Sequence, residues 1–226
     1  MDVATALRGR GSTRAFGREP VSRAIIASIL EQARFAPSGS NIQPWQVHVV
    51  SGAVRDAICG AVRERAAAAA PPAWPYDYYP SVWREPYLAR RRACGWGLYS
   101  LLGIARGDRA AGLAQELRNY DFFGAPVGLF FFIDPDLGPG SWLDYGMFLE
   151  ALMVAAVGQG LATCPQAAWA PFHAIIRAHL RVADAPVLIC GMALGYADRT
   201  APVNGFRPSR LAVDEFTTWH GPEEAA

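Results

Sequence analysis

The sequence predicts an α+β fold, and three observations carry that reading. Two short, unbroken apolar runs, PVGLFFFID at 126–134 and PVLICGMALGY at 186–196, have the length and composition of strands buried on both faces. The run SWLDYGMFLEALMVAAVGQG at 141–160 is a long, mostly apolar helix closed by Gly158 and Gly160; its all-round hydrophobicity predicts deep burial. Strands follow long helical blocks singly, which favours α+β or a mixed three-layer arrangement over a regular βαβ repeat.

Taken in order, residues 2–9 read as a short amphipathic helix. From Pro20, PVSRAIIASILEQARF places Ile25, Ile29 and Leu30 at helical spacing behind Ser22, a good N-cap. A polar loop at 37–44 leads to WQVHVVS, which alternates as a strand does. Residues 53–70 read as a helix stopped by AAAAAPP. The aromatic, proline-rich stretch PPAWPYDYYPSVWREPY at 71–87 cannot continue a helix. A loop of that length is either a surface insertion or a lid or wall over a flat substrate. Residues 87–105 and 107–119 read as two helices, and Arg90, Arg91 and Arg92 fan around the first as a solvated face. PFHAIIRAHL is a short helix, and the tail from 197 to 226 is irregular, with arginines at 199, 207 and 210. No break in composition marks a linker, so residues 1–226 read as a single domain.

With 226 residues and 52% apolar composition, the chain is long enough for one substantial core. It has no apolar stretch long enough to span a membrane and no signal-peptide core at its N-terminus. The expectation is a folded, cytoplasmic protein. A net charge of +1 creates no field that would recruit nucleic acid or an anionic membrane. All 21 cationic side chains are arginines, and lysine is absent. This excludes Schiff-base chemistry on an internal lysine and a P-loop lysine on a nucleotide phosphate. Planar, bidentate arginine is left to grip any phosphate.

Cys59, Cys94, Cys164 and Cys190 form no C-x-x-C pair and read as four small buried hydrophobes. His48, His173, His179 and His220 lack ligand spacing, so no metal is expected. GQGLAT at 158–163 is no dinucleotide fingerprint: Thr163 replaces the third glycine and a helix precedes it. No nucleophile elbow supports hydrolysis.

Two loops carry the chemistry. In RGRGSTRAFG at 8–17, an extended backbone sends Arg10, Ser12 and Arg14 to one side. Two guanidinium forks with a hydroxyl between them suit a phosphate monoester and a polyol chain, while Gly9 and Gly11 remove bulk. In APSGSNIQPW at 36–45, Pro37 and Pro44 stiffen a loop rich in short donors and acceptors, able to wrap the edge of a heteroaromatic ring. Each loop alone is equally an ordinary connection.

Together, R-x-S-x-R-x-F and A-P-S-x-S-N-x-Q-P-W resemble the nitroreductase family of FMN enzymes. NYDFFGAPVGLFFFID, GLATCPQAAWA, GMALGYADRTAPVN and VDEFTTWHG extend the resemblance to nearly the whole chain, in the branch that includes nitrobenzoate reductases. The resemblance implies a mixed central sheet flanked by helices and an intertwined homodimer. The C-terminal extension, about 197–226, would reach the partner subunit. It implies FMN at the interface, with NADPH or NADH as electron donor and a small nitroaromatic or quinone-type acceptor in ping-pong exchange.

By position, Arg10, Gly11, Ser12 and Arg14 would hold the FMN phosphate, ribityl chain and ring edge. Pro37, Ser38, Gly39 and Asn41 would come from the other subunit. Arg210, with Arg207, resembles a late phosphate arginine. Asn119, or Arg118, occupies the region facing the pyrimidine side of the ring. Pro165, Gln166 and Ala167 match the segment whose backbone N–H faces flavin N5, with Ala167 as donor. No side chain is expected to act as nucleophile or general base. The same fold hosts oxidases and enone reductases, and a protein that stores FMN without turnover is the alternative from another class.

Overall fold

The computed structural model of the chain describes residues 1–68 and 73–221. Its centre is a four-stranded sheet in the order β1-β2-β4-β3, with β1 at Gln46–Ser51, β2 at Val127–Ile133, β3 at Ala162–Gln166 and β4 at Val187–Gly195. All three strand pairings are antiparallel, and one isolated parallel bridge joins Ser12 to Thr163 of β3. The two apolar runs are therefore the two central strands, and every residue of β2 is buried.

Alternation along the strands builds two cores. Leu129, Phe131 and Ile133 of β2 face one cluster, joined by Ile26 and Ile29 of α2 (Arg23–Ala33) and Phe148 and Leu152 of α6 (Pro139–Gly158). Phe130 and Phe132 face the other, with Ile58 and Val62 of α3 (Gly52–Ala68) and Ile176 of α7 (His173–Leu180). Each buried Phe or Leu contributes about 1.5–3 kcal/mol of transfer free energy. The sheet is thus the middle of three layers, as the order of elements suggested.

The start of α2 follows the cap chemistry: Ser22 Oγ accepts from Ile25 N at 3.3 Å. The first helix, α1 (Val3–Gly9), has Asp2 in the same role. α4 covers Tyr87–Leu101 and stops short of residue 105, because Gly103 turns left-handed at φ 69°. α5 spans Arg109–Leu117 and continues as 3-10 turns to Gly124. α6 departs from the expected burial, since Leu143 and Met147 are 71% and 36% exposed. One face of this apolar helix is uncovered within a single chain. The expected helix at 53–70 is seen through Ala68, and residues 69–72, with the start of the aromatic stretch, lie outside the described residues.

β3 gave no strand signal because it holds Pro165. It is an edge strand, where a residue without an N–H is tolerated. Between Phe131 and Phe132 the β2–β4 register shifts, leaving Ile189 of β4 unopposed. Its carbonyl instead accepts from Tyr76 Oη, which anchors the aromatic segment to the sheet. Among the described residues no helix is long and apolar enough to cross a membrane.

Candidate cofactor site

The extended segment 10–14 runs beside β3, fixed by the Ser12–Thr163 bridge and by Thr13 N donating to Thr163 O at 2.9 Å. Alternation then separates its side chains. Arg10, Ser12 and Arg14 line one cavity of about 420 Å³, and Thr13 lines a neighbouring one. Arg8, Arg207 and Arg210 complete the first cavity with Gly11, Cys94 and Phe206. Five arginines therefore line a space with no carboxylate among the described residues of its wall, which is the donor set of an anion site, above all a phosphate. The sequence-predicted arginines 10, 14, 207 and 210 are brought together, and Arg8 joins them.

Three of these arginines are braced on backbone carbonyls, and a fourth pairs with a carboxylate. Arg14 Nη1 donates to Ser12 O at 3.1 Å. Arg207 Nη1 donates to Asn204 O at 2.9 Å and Phe206 O at 3.0 Å. Arg210 Nη1 donates to Pro208 O at 3.0 Å. Arg10 Nε lies 3.5 Å from Glu150 Oε1 of α6. A Cβ on Gly11 would lie 3.4 Å from the Arg207 guanidinium, in van der Waals contact.

At the other end of β3, Gln166 is 3% exposed. Its Nε2 donates to Asn119 O at 2.7 Å and lies 3.3 Å from Asn119 Oδ1, while Oε1 is buried without a partner. An orphan acceptor in that position is a polar group awaiting a donor. β-strand rise places Gln166 about 10 Å from Thr163, the residue bridged to Ser12 of the arginine cavity.

Asn119 is held there by an unusual turn. Phe122 and Phe123 both adopt φ 55°, a costly conformation for bulky residues. Packing compensates: Phe122 stacks on Trp169 at 4.5 Å between ring centroids, and Gly128 leaves room for its ring, which a Cβ would meet at 2.3 Å. Burial pushes the neighbouring Tyr120 phenol up to about 12, with Glu116 adding to it. Cys164, between the two ends of β3, is likewise pushed up to about 11 by burial, while Arg14 and Ser12 pull the other way.

The loop with Pro37, Ser38, Gly39 and Asn41 stands outside the arginine cavity. Ser40, Asn41 and Gln43 have φ of 49°, 57° and 51°, a run of strain typical of functional loops. Asp144 Oδ2 of α6 accepts from Gly39 N at 3.0 Å, and Ser38 Oγ accepts from Gln43 N at 3.0 Å. The next residue, Tyr145, bonds both the N and O of Gln46, at 3.2 and 3.0 Å. α6 thus grips both ends of the loop and also reaches Arg10, through Asp144, Tyr145 and Glu150. None of these three had a signal in the sequence beyond being polar in an apolar helix.

One expectation needs correction. Cys94 is exposed and lines the arginine cavity, because no residue of α4 is buried. Arg90, Arg91 and Arg92 are exposed, as a solvated face requires, and Arg91 also lies over the Trp83 ring at 4.8 Å, tying α4 to the aromatic segment. Tyr78, Tyr79, Trp83 and Tyr87 line an apolar cavity of about 410 Å³ with Arg84 in its wall. Among the described residues no group of three or more His, Cys, Asp or Glu side chains could hold a metal ion.

Against known families, residues 7–196 match the nitroreductase family. The chain is 40% identical over 220 residues to the 4-nitrobenzoate reductase of Pseudomonas putida, covering 97% of this chain and 96% of that protein. Among solved structures, the FMN and NADPH-dependent nitroreductase NfnB from sphigopyxis sp. strain HMH superposes with a TM-score of 0.94. It is 43% identical, over 98% of this chain and 100% of that one. The FMN-dependent nitroreductase NfnB from Mycobacterium smegmatis, in complex with NADPH, gives a TM-score of 0.91 at 33% identity, over 97% and 100% of the two chains.

Proposed function

The chain belongs to the nitroreductase family, and on that premise we propose that it is an FMN-dependent oxidoreductase reducing nitroaromatic acceptors with NADPH or NADH. The observation that carries the reading is the cavity beside the Ser12–Thr163 bridge, with five arginines and no carboxylate among the described residues of its wall. Arg10, Gly11, Ser12, Arg14, Arg207 and Arg210 would hold the phosphate of FMN, with Ser12 beside the ribityl chain. Asn119, Pro165, Gln166 and Ala167 would meet the ring at the other end, where the orphan Oε1 of Gln166 offers an acceptor to a ring N–H.

FMN held by these residues would supply the redox chemistry that links the nicotinamide donor to the acceptor. The protein orients and stabilises. Backbone N–H of Ala167 would donate toward N5, and the arginines would offset the cofactor's negative charge. No residue is assigned a nucleophilic or general-base role. Nitroaromatic and quinone-type acceptors would enter beside the aromatic segment, where Tyr78, Tyr79 and Trp83 offer stacking faces and Arg84 a partner for a carboxylate.

The second part of the reading is a homodimer of single-domain subunits. Leu143 and Met147 of α6, with Val213, Phe216 and Trp219 of the tail, leave a large apolar surface uncovered in one chain. The tail from 197 would cover the partner, and Pro37, Ser38, Gly39 and Asn41 would face the flavin held by the other subunit's arginines.

Steady-state kinetics test the activity. With NADPH and 4-nitrobenzoate varied together, parallel double-reciprocal lines are expected, as ping-pong exchange requires. Absence of donor oxidation with nitroaromatic and quinone acceptors alike would contradict the reading.

A further inference from the structure

The arginines of the anion cavity come from two arms, residues 8–14 and residues 207–210, nearly two hundred positions apart in the chain. One residue touches both arms without lining the cavity itself. Asn204 Oδ1 accepts from Arg14 N at 2.8 Å and Ala15 N at 3.2 Å, and its Nδ2 donates to Ala15 O at 2.7 Å and Asp198 O at 2.8 Å. Its backbone carbonyl accepts from Arg207 Nη1 at 2.9 Å. Its side chain lies in the wall of the neighbouring cavity.

We propose that Asn204 is a positioning residue that fixes the spacing of the two arginine arms and thereby sets affinity for the cofactor's phosphate. The amide uses both acceptor and both donor sites on backbone groups. Flipping it would set oxygen against two carbonyls and NH2 against two N–H groups, so its orientation is determined. Arg14 is thus held by its own backbone at the point where its guanidinium turns into the cavity. Arg207 is held three residues beyond the same side chain. A bidentate grip on phosphate depends on such spacing, since charge-assisted hydrogen bonds weaken when donors drift.

This inference rests on the FMN reading, and comparing FMN with riboflavin, which has no phosphate, separates the two. Apoprotein would be titrated with each flavin by fluorescence quenching, for wild type, Asn204→Ala and Asn204→Asp. Asn204→Asp keeps an acceptor for the Arg14 and Ala15 amides but turns a carboxylate oxygen on two carbonyls. The expected result is FMN dissociation constants raised about tenfold or more, with riboflavin binding changed less than about twofold. Equal weakening of both flavins, no change in either, or failure of both variants to fold would overturn the proposal by making Asn204 a residue of the fold alone. Wild-type protein that prefers FMN no more than riboflavin would instead overturn the phosphate reading on which it rests.

Discussion

At the arginine end, Arg14, Arg207 and Arg210 each brace a guanidinium on a backbone carbonyl, and Asn204 ties the two arms with four directed hydrogen bonds. Residues 73–87 and α4, which borders the same cavity through Cys94, are held differently. No residue of α4 is buried, and its links to the aromatic segment include cation–π contacts of Arg84 with Tyr87 and of Arg91 with Trp83, beside hydrogen bonds from Leu88 N to Arg84 O and from Ala89 N to Glu85 Oε2. Rings stack on rings there, as Trp74 does on Tyr78 at 5.5 Å, and Tyr76 makes the hydrogen bond to the sheet. Directed hydrogen bonds fix one geometry, whereas ring and cation–π contacts tolerate sliding and repacking. On the proposed function, the contrast is a division of labour: a fixed end for the cofactor and an adaptable end for the acceptors.

The largest effect should come from the fixed end. Arg14→Ala removes a charged donor from the cavity and should raise the FMN dissociation constant about 10- to 100-fold, from about 1.5–3 kcal/mol per hydrogen bond to a charged group. Flavin fluorescence titration measures it, and unchanged affinity would break the comparison at its strong side. Deleting residues 74–83 attacks the other end. Acceptor KM and selectivity should change several-fold while FMN affinity stays the same; if acceptor kinetics stayed constant, the segment would be no wall to the substrate.

A smaller change sharpens the boundary between the ends. Tyr76→Phe leaves the Ile189 carbonyl at the β4 bulge without its phenol donor, costing about 0.5–1.5 kcal/mol in urea unfolding. Acceptor KM should rise with it and FMN affinity should not, so a loss of FMN affinity would show that the ends are coupled. The smallest effect concerns His173, whose pKa is held below the ordinary 6.5 by burial and by Arg177. Its native state resists protonation, so its contribution to stability is present above 6.5 and is lost as pH falls through the lowered value. Unfolding by urea at pH values on either side of 6.5 should show a modest drop on the acid side, flattened in His173→Gln.

How much of this the sequence revealed differs between the same two ends. Arg10, Ser12 and Arg14 were legible because alternation in an extended segment is a local rule, and Thr13 falls on the opposite side as that rule requires. Arg207 and Arg210 emerged only through family resemblance, since nothing local joins residue 207 to residue 11. Asn204 was invisible: its partners are backbone groups, which leave no mark on the identity of residues 14, 15 or 198. β3 was hidden by Pro165, a residue that argues against a strand unless the strand lies at an edge. The exposure of Cys94 and of one face of α6 was equally hidden, because apolar composition indicates a preference for burial and not what provides it.

The central claim is that this chain binds FMN and passes electrons through it in two separable steps. The most direct test is the visible spectrum of the FMN-loaded protein under anaerobic conditions, with NADPH added first and a nitroaromatic second. The account predicts bleaching of the flavin band on adding NADPH, or NADH in its place, and return of the band on adding the acceptor. A bound flavin that neither nicotinamide bleaches, or a bleached flavin that no nitroaromatic restores, would contradict it.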